Sequence, residues 1–256
     1  MKRIMFVALG FLLVGSLVAA THPFWGILFF TSFEGCHYKA DQPLVGQNGW
    51  VGLDTPDAFK VVKGWHEARC GRKAVCCLGG DLEAMEPPNE WLLSTACEKL
   101  VEFDPPQSPA VVYVQADVRL LGPDTGTGPG DDLLSLNFMA RNAKELGAGR
   151  APWFYLSSNG CAYANAWDNG VATYYKFETP IKFGKWNTLA MVLNYKTHMC
   201  TFEVNHRAIG SLPFGGPGEQ FTSVLLEMCA WNHPSFDATA YKASVDNILV
   251  LTWPAR

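Results

Sequence analysis

The sequence has no run of basic residues and little charge of either sign. Charged residues make up 17% of the 256 residues, and the formal net charge is −4. Residues 1–20 contain Lys2 and Arg3 but no acid, so the chain that follows them has a net charge of −6. A mildly acidic chain without basic clusters is a poor match for nucleic acid or for an anionic membrane surface. We therefore expect neither as a partner.

Most local motifs of enzymes and metal sites are also missing. G-x-S-x-G, H-E-x-x-H and C-x-x-C do not occur, and the six histidines do not cluster. The glycine-rich stretch 122–130 precedes a predicted strand rather than a helix, so it does not resemble a phosphate-binding loop. The sequence thus leaves open whether the protein is an enzyme, and favours a role without catalysis.

Long apolar runs are absent except at the N-terminus. Lys2 and Arg3 precede an apolar stretch that ends in Val18-Ala19-Ala20, which is typical of a cleaved signal peptide over residues 1–20. The alternative is an uncleaved anchor, but the run is shorter than the roughly 20 residues that a membrane span needs. We expect a mature chain from Thr21, secreted or held in the periplasm or cell envelope, without a membrane span.

Eight cysteines lie in the exported part, at positions 36, 70, 76, 77, 97, 161, 200 and 229. An even number of cysteines in an oxidising compartment predicts at least one disulfide. Buried free thiols are the alternative, because cysteine packs well as a small apolar residue. Cys76 and Cys77 are neighbours on a predicted strand and should point to opposite faces.

Helical patterns are scarce, and short alternating segments dominate. Glycine and proline interrupt the chain about every ten residues, which is typical of an all-β sandwich or barrel. The stretch 81–99 is interpreted as a long loop, because Pro87-Pro88 interrupts it. Strands are predicted at 27–34, 58–63, 73–78, 97–103, 110–121, 133–142, 153–158, 161–167, 172–178, 186–195, 199–205, 223–231 and 245–252.

Three segments resemble a known family. They are Phe33-Glu34-Gly35 with the following Leu44–Trp50, the run Trp186–Tyr195 with Thr201–Asn205, and the ending Val245–Val250. They are similar to concanavalin A-like (LamG-type) domains in exported proteins of planctomycete-like bacteria. The resemblance implies a two-sheet antiparallel jelly-roll sandwich, here as one domain over 21–256. Lectins, glycosidases, lyases and protein-binding modules share that fold, so it does not determine the chemistry.

Alternation within the strands predicts one face that is both polar and aromatic. Such a face suits carbohydrate, because aromatic rings pack against sugar C–H groups while polar side chains bond hydroxyls. The alternative is that these rings pack under another layer of the protein. The candidate ligand-binding residues are Asn137, Arg141, Trp153, Tyr155, Tyr163, Asn165, Trp167 and Glu227.

Two acids form a separate candidate site. In similar jelly-roll modules an acid after the first strand and an acid in the last strand help to hold a structural Ca²⁺, which implies Glu34 and Asp246 here. The alternative is an edge carboxylate and a turn-forming aspartate. No catalytic residue is predicted, because laminarinase-type members of this fold carry E-x-D-x-E on one strand and this sequence does not.

Together these features predict a secreted, non-catalytic module that binds a glycan or another envelope component. A structural or protein-interaction domain without a small ligand is the first alternative. A divergent glycan-active hydrolase or lyase is the second.

Overall fold

The structure is a computed structural model whose described residues are 26–52, 58–64, 66–79, 81, 92–101, 110–123, 134–142, 152–168, 171–215, 220–231 and 237–253. The predicted signal peptide lies outside them. Two antiparallel sheets contain sixteen described strands, which confirms the all-β jelly-roll prediction. Within the described residues, no helix has the length and apolar character needed to cross a bilayer.

The larger sheet has nine strands, in the order β14-β13-β12-β7-β16-β5-β4-β2, with β1 added alongside β16. Its strands are β1 Gly26–Thr31, β2 Gln42–Pro43, β4 Phe59–Lys63, β5 Lys73–Leu78, β7 Val111–Leu121, β12 Asn187–Asn194, β13 Met199–Val204, β14 Arg207–Pro213 and β16 Lys242–Trp253. A short 3₁₀ helix, Ala238–Ala240, precedes β16.

The smaller sheet has seven strands in the order β11-β10-β9-β8-β15-β6-β3. They are β3 Trp50–Gly52, β6 Leu92–Leu100, β8 Leu134–Arg141, β9 Trp153–Ser157, β10 Cys161–Asp168, β11 Val171–Pro180 and β15 Ser223–Trp231.

The predicted strands agree with most of this arrangement, and three strands, β2, β3 and β14, were missed. β2 and β3 are two and three residues long, too short to show alternation. β14 contains glycine and proline, and it follows a tight turn in which Asn205 and His206 both have positive φ. The interpretation of 81–99 as a loop is wrong from residue 92 onward, because β6 begins there and pairs with β15.

The inner faces of the two sheets form the core, as alternation predicted. Leu136 and Phe138 of β8 and Ala162 and Ala164 of β10 all belong to it. Phe154 of β9 meets Phe202 of β13 edge to face across the two sheets, with ring centroids 5.5 Å apart. The outer face of the seven-stranded sheet therefore carries the alternate residues, which are the predicted polar and aromatic ones.

Candidate functional site

The outer face of the seven-stranded sheet, called the open face below, aligns four of the predicted ligand residues in one row across four adjacent strands. Tyr163 of β10 lies opposite Tyr155 of β9, Tyr155 opposite Asn137 of β8, and Asn137 opposite Glu227 of β15. Adjacent strands are about 4.8 Å apart, so the row spans roughly 14 Å. Asn137 and Glu227, 90 positions apart in the sequence, thus become neighbours.

The two tyrosines at one end of this row are packed. Their rings stack with centroids 5.1 Å apart and an interplanar angle of 17°. Tyr163 is 1% exposed and Tyr155 is 5% exposed. The Nδ2 of Asn159 donates a hydrogen bond of 2.5 Å to the Tyr163 hydroxyl, and burial raises the pKa of that phenol. Tyr155 and Tyr163 therefore belong neither to the core between the sheets nor to an exposed platform.

The other end of the row is polar and half-buried. The Nδ2 of Asn137 donates to the Glu227 Oε2 at 2.8 Å and contacts the Cys229 Sγ at 3.0 Å. Burial, followed by the charge of Glu227, raises the pKa of the Cys229 thiol. Glu227 and Cys229 are partly exposed, whereas Asn137 is buried beneath them. The amide of Asn137 thus fixes the carboxylate of Glu227 at the surface of the sheet.

A second row lies beside the first on the same face. Asn165 of β10 is opposite Trp153 of β9, and the register continues through Met139 and Leu225 to Glu98 of β6. Asn165 is buried, and Trp153 is partly exposed. Trp153 is therefore the predicted aromatic residue whose ring is best placed to meet a ligand.

Arg141 belongs to the same face, and its partner was not predicted from the sequence. Its Nη1 lies 3.5 Å from the Glu98 Oε2, and the Ser223 hydroxyl donates to the Glu98 Oε1. Side-chain exposure is 6% for Arg141 and 2% for Glu98, so this is a buried ion pair. Alternation in the predicted strand 97–103 could have placed Glu98 on the polar face, but its pairing with β15 is a long-range feature.

Seven of the eight predicted ligand residues therefore lie on the open face. For Trp167 only the backbone is described, in β10 opposite Ala172, and its side chain lies outside the described residues.

The two acids of the predicted calcium site both hold the loop between β4 and β5. The Glu34 Oε1 accepts hydrogen bonds from the backbone amides of Arg72, at 2.5 Å, and Lys73. Gly71 has a φ of +88°, and a Cβ there would lie 2.6 Å from the same oxygen. A glycine is thus needed for the loop backbone to pass this close to Glu34.

Asp246 holds the preceding residues of that loop. Its Oδ2 accepts from the backbone amides of Arg69 at 3.0 Å and Cys70 at 3.2 Å, and its Oδ1 accepts from the amide of Asn247. Burial raises the pKa of Asp246 to about 7, and nearby Asp117 adds to the rise. The backbone amides satisfy a carboxylate that burial would otherwise penalise.

These hydrogen bonds occupy oxygens that the predicted calcium site would use. Calcium takes six to eight oxygen ligands. Here one oxygen of Glu34 and both oxygens of Asp246 accept from backbone amides, and the described part of the chain contains no group of three His, Cys, Asp or Glu side chains arranged to hold a metal. The calcium site at Glu34 and Asp246 stays a prediction from the resemblance.

The eight cysteines are all within the described residues, and all are free thiols. The structure therefore disagrees with the prediction of at least one disulfide. Six of the eight lie in strands, and Cys77, Cys97 and Cys200 belong to the core. Cys76 points away from the core toward the Ser244 hydroxyl at 3.3 Å, so the neighbours Cys76 and Cys77 do face opposite sides.

Comparisons with known proteins agree on the fold. No known family profile matches the chain, and no curated protein matches it. A solved endo-β-1,4-glucuronan lyase from the fungus Trichoderma reesei is similar with a TM-score of 0.57 and 10% identity, over 89% of this chain and 96% of that one. A non-specific endo-β-1,3(4)-glucanase of family GH16 has a TM-score of 0.55 and 11% identity, over 90% and 91%.

A β-glucanase from Bacillus licheniformis is similar with a TM-score of 0.52 and 10% identity, over 89% of this chain and 98% of that one. In a sialidase that also matches, with a TM-score of 0.47, this chain spans 17% of the length. At these identities the similarity shows the fold alone. The chain is a concanavalin A-like jelly-roll sandwich, as the sequence resemblance implied.

Proposed function

We propose that this protein is an exported carbohydrate-binding module that holds a glycan on the open face of its seven-stranded sheet. One observation carries the proposal: aromatic and hydrogen-bonding side chains from four adjacent strands are collected on that face. Export is inferred from the N-terminal pattern of charge and apolar residues.

The partly exposed residues of this face suit sugar recognition. Trp153 presents an aromatic ring that can pack against sugar C–H groups, and Glu227 presents a carboxylate that accepts hydrogen bonds from hydroxyls. Asn137 beneath Glu227 and the stacked pair Tyr155 and Tyr163 keep the surface rigid. A rigid surface favours binding because little side-chain freedom is lost when the ligand docks.

The similar solved structures support the same class of ligand. The three with the higher TM-scores described above are named for glucuronan cleavage or glucan cleavage. We favour binding without cleavage for this chain, because E-x-D-x-E is absent and Glu98 is engaged by Arg141 and Ser223.

A glycan-cleaving enzyme is the second candidate, and one observation favours it. Glu98 of β6 lies opposite Leu225 of the neighbouring strand β15, two residues from Glu227, so the two acids are diagonal neighbours. The backbones of diagonal neighbours are about 7–8 Å apart, a spacing that allows two carboxyl groups to take the separation of about 6.5–9.5 Å found in inverting glycosidases. The buried ion pair of Glu98 argues against a role in proton transfer.

The proposal is tested by a glycan array followed by calorimetric titration of the full chain with the glycans that bind. Trp153→Ala should weaken binding at least tenfold. Trp253→Ala is the matched control, because Trp253 is also a partly exposed tryptophan but lies on the nine-stranded sheet. It should change affinity less than twofold.

Two results would count against the proposal. A blank array contradicts carbohydrate binding and favours a structural or protein-interaction domain. Equal losses in the two tryptophan variants would place the site elsewhere. Release of reducing ends or unsaturated sugars from a bound glycan, abolished by Glu227→Gln, would instead support the enzyme.

A further inference from the structure

Among the described side chains of the open face, acidic ones outnumber basic ones. Glu98 and Glu227 lie on it, and Glu178 of β11 joins it opposite Tyr163. Among the residues of that face whose side chains are described, Arg141 is the one lysine or arginine. Since the whole chain is also acidic, the local and overall fields have the same sign.

The charge of Arg141 is already used within the protein. Its guanidinium is buried and lies 3.5 Å from the Glu98 carboxylate. If Arg141 turned toward a ligand, Glu98 would remain as a buried charge without its cation, which is strongly unfavourable. An acidic sugar would therefore find no available cation at Arg141.

Glu227 offers a different kind of contact. An ionised carboxylate only accepts hydrogen bonds, so it matches hydroxyl groups and repels the carboxylates or sulfates of acidic glycans. The Asn137 amide fixes it at 2.8 Å, and its row places it on the same face as the Trp153 ring. Glu227 is thus positioned to distinguish neutral from anionic sugars.

We propose that the open face selects neutral, hydroxyl-rich glycans over polymers bearing uronates or sulfates, and that Glu227 is the residue that determines this selection. The inference rests on the proposed function, and it names the substrate class for the same site. It also separates the two chemistries represented among the similar structures, neutral glucan and glucuronan.

The test compares two probes of equal length by calorimetric titration of the full chain. One is a neutral β-glucan hexasaccharide and the other is a glucuronan hexasaccharide. The neutral probe should bind at least tenfold more tightly. Glu227→Gln keeps an oxygen that can accept from Asn137 but removes the charge, and it should reduce the preference at least tenfold. Glu203→Gln, a partly exposed glutamate of β13 on the other sheet, should leave the preference unchanged.

The outcomes separate this inference from the proposed function. Tighter binding of glucuronan, weakening as salt is added, would overturn the inference and leave carbohydrate binding intact. Equal binding of the two probes would do the same. Failure to bind either probe, with a blank array, would overturn the inference and the proposed function together. If Glu227→Gln does not fold, as judged by near-ultraviolet circular dichroism, the comparison of probes on the unmodified chain still decides whether the face selects neutral glycans.

Discussion

Truncation of Tyr163 tests whether the aromatic residues of the open face are packed or exposed. Tyr163 is 1% exposed and stacks on Tyr155, and Asn159 donates a hydrogen bond to its hydroxyl. Replacing a buried aromatic ring with alanine costs roughly 3–5 kcal/mol, because apolar contact is lost and a cavity remains. We therefore expect Tyr163→Ala to lower the free energy of unfolding by about that amount.

Two further variants serve as comparisons: one removes only the hydroxyl of Tyr163, and the other removes a ring that is more exposed. Tyr163→Phe keeps the ring and removes the acceptor of the Asn159 amide, so it should cost about 1 kcal/mol. Trp153→Ala truncates a partly exposed ring on the same face, so its loss of stability should be smaller than that of Tyr163→Ala. Trp153→Ala should instead weaken the binding of glycan.

Urea denaturation followed by fluorescence measures all three variants. The slope of unfolding free energy against urea should stay unchanged, so that a shift in midpoint reports stability. A loss below about 1 kcal/mol for Tyr163→Ala would refute the reasoning. In that case the ring would lie in an open cleft, and Tyr163 would become a candidate ligand contact with Trp153.

Further predictions concern other parts of the molecule. Because the pKa of Asp246 is raised from 3.8 to about 7, the folded chain binds its proton more tightly, so unfolding free energy should fall as pH rises from about 4 to 7. Asp246→Asn should remove this part of the slope, and identical pH profiles would contradict the assignment. Denatured, unreduced protein should titrate as eight thiols, with Cys36 and Cys70 reacting first in the native state because they are exposed; fewer than eight would support a disulfide. If calcium binds at Glu34, excess Ca²⁺ should raise the melting temperature of the unmodified chain but not of Glu34→Gln, and no shift would remove that site. N-terminal sequencing of exported protein should find Thr21 first, and a chain still beginning at Met1 would contradict cleavage.

The strands and their faces could be predicted because alternation is a local property. Leu136 and Asn137 are adjacent, so they point to opposite sides of β8 wherever that strand lies. The strands that were missed are those in which alternation is too short or is interrupted, as in β2 and β14. The unsupported disulfide prediction has a similar origin, since a cysteine count contains no distances and Cys97 packs in the core as a free thiol.

Alternation along single strands by itself determined that Tyr155, Tyr163 and Glu227 point to the opposite side of their strands from their sequence neighbours, because side-chain direction repeats every two residues. Only the tertiary structure decided that they form one row, since strand order brings β10 and β15 onto either side of β8 and β9. The tertiary structure also decided which of these side chains are buried, because neighbouring strands stack Tyr163 on Tyr155 and pair Arg141 with Glu98. Asp246 contacts the amide of Arg69 across 177 residues for the same reason. Contacts between distant segments depend on how whole strands pair. The local sequence around each contact residue does not determine that pairing.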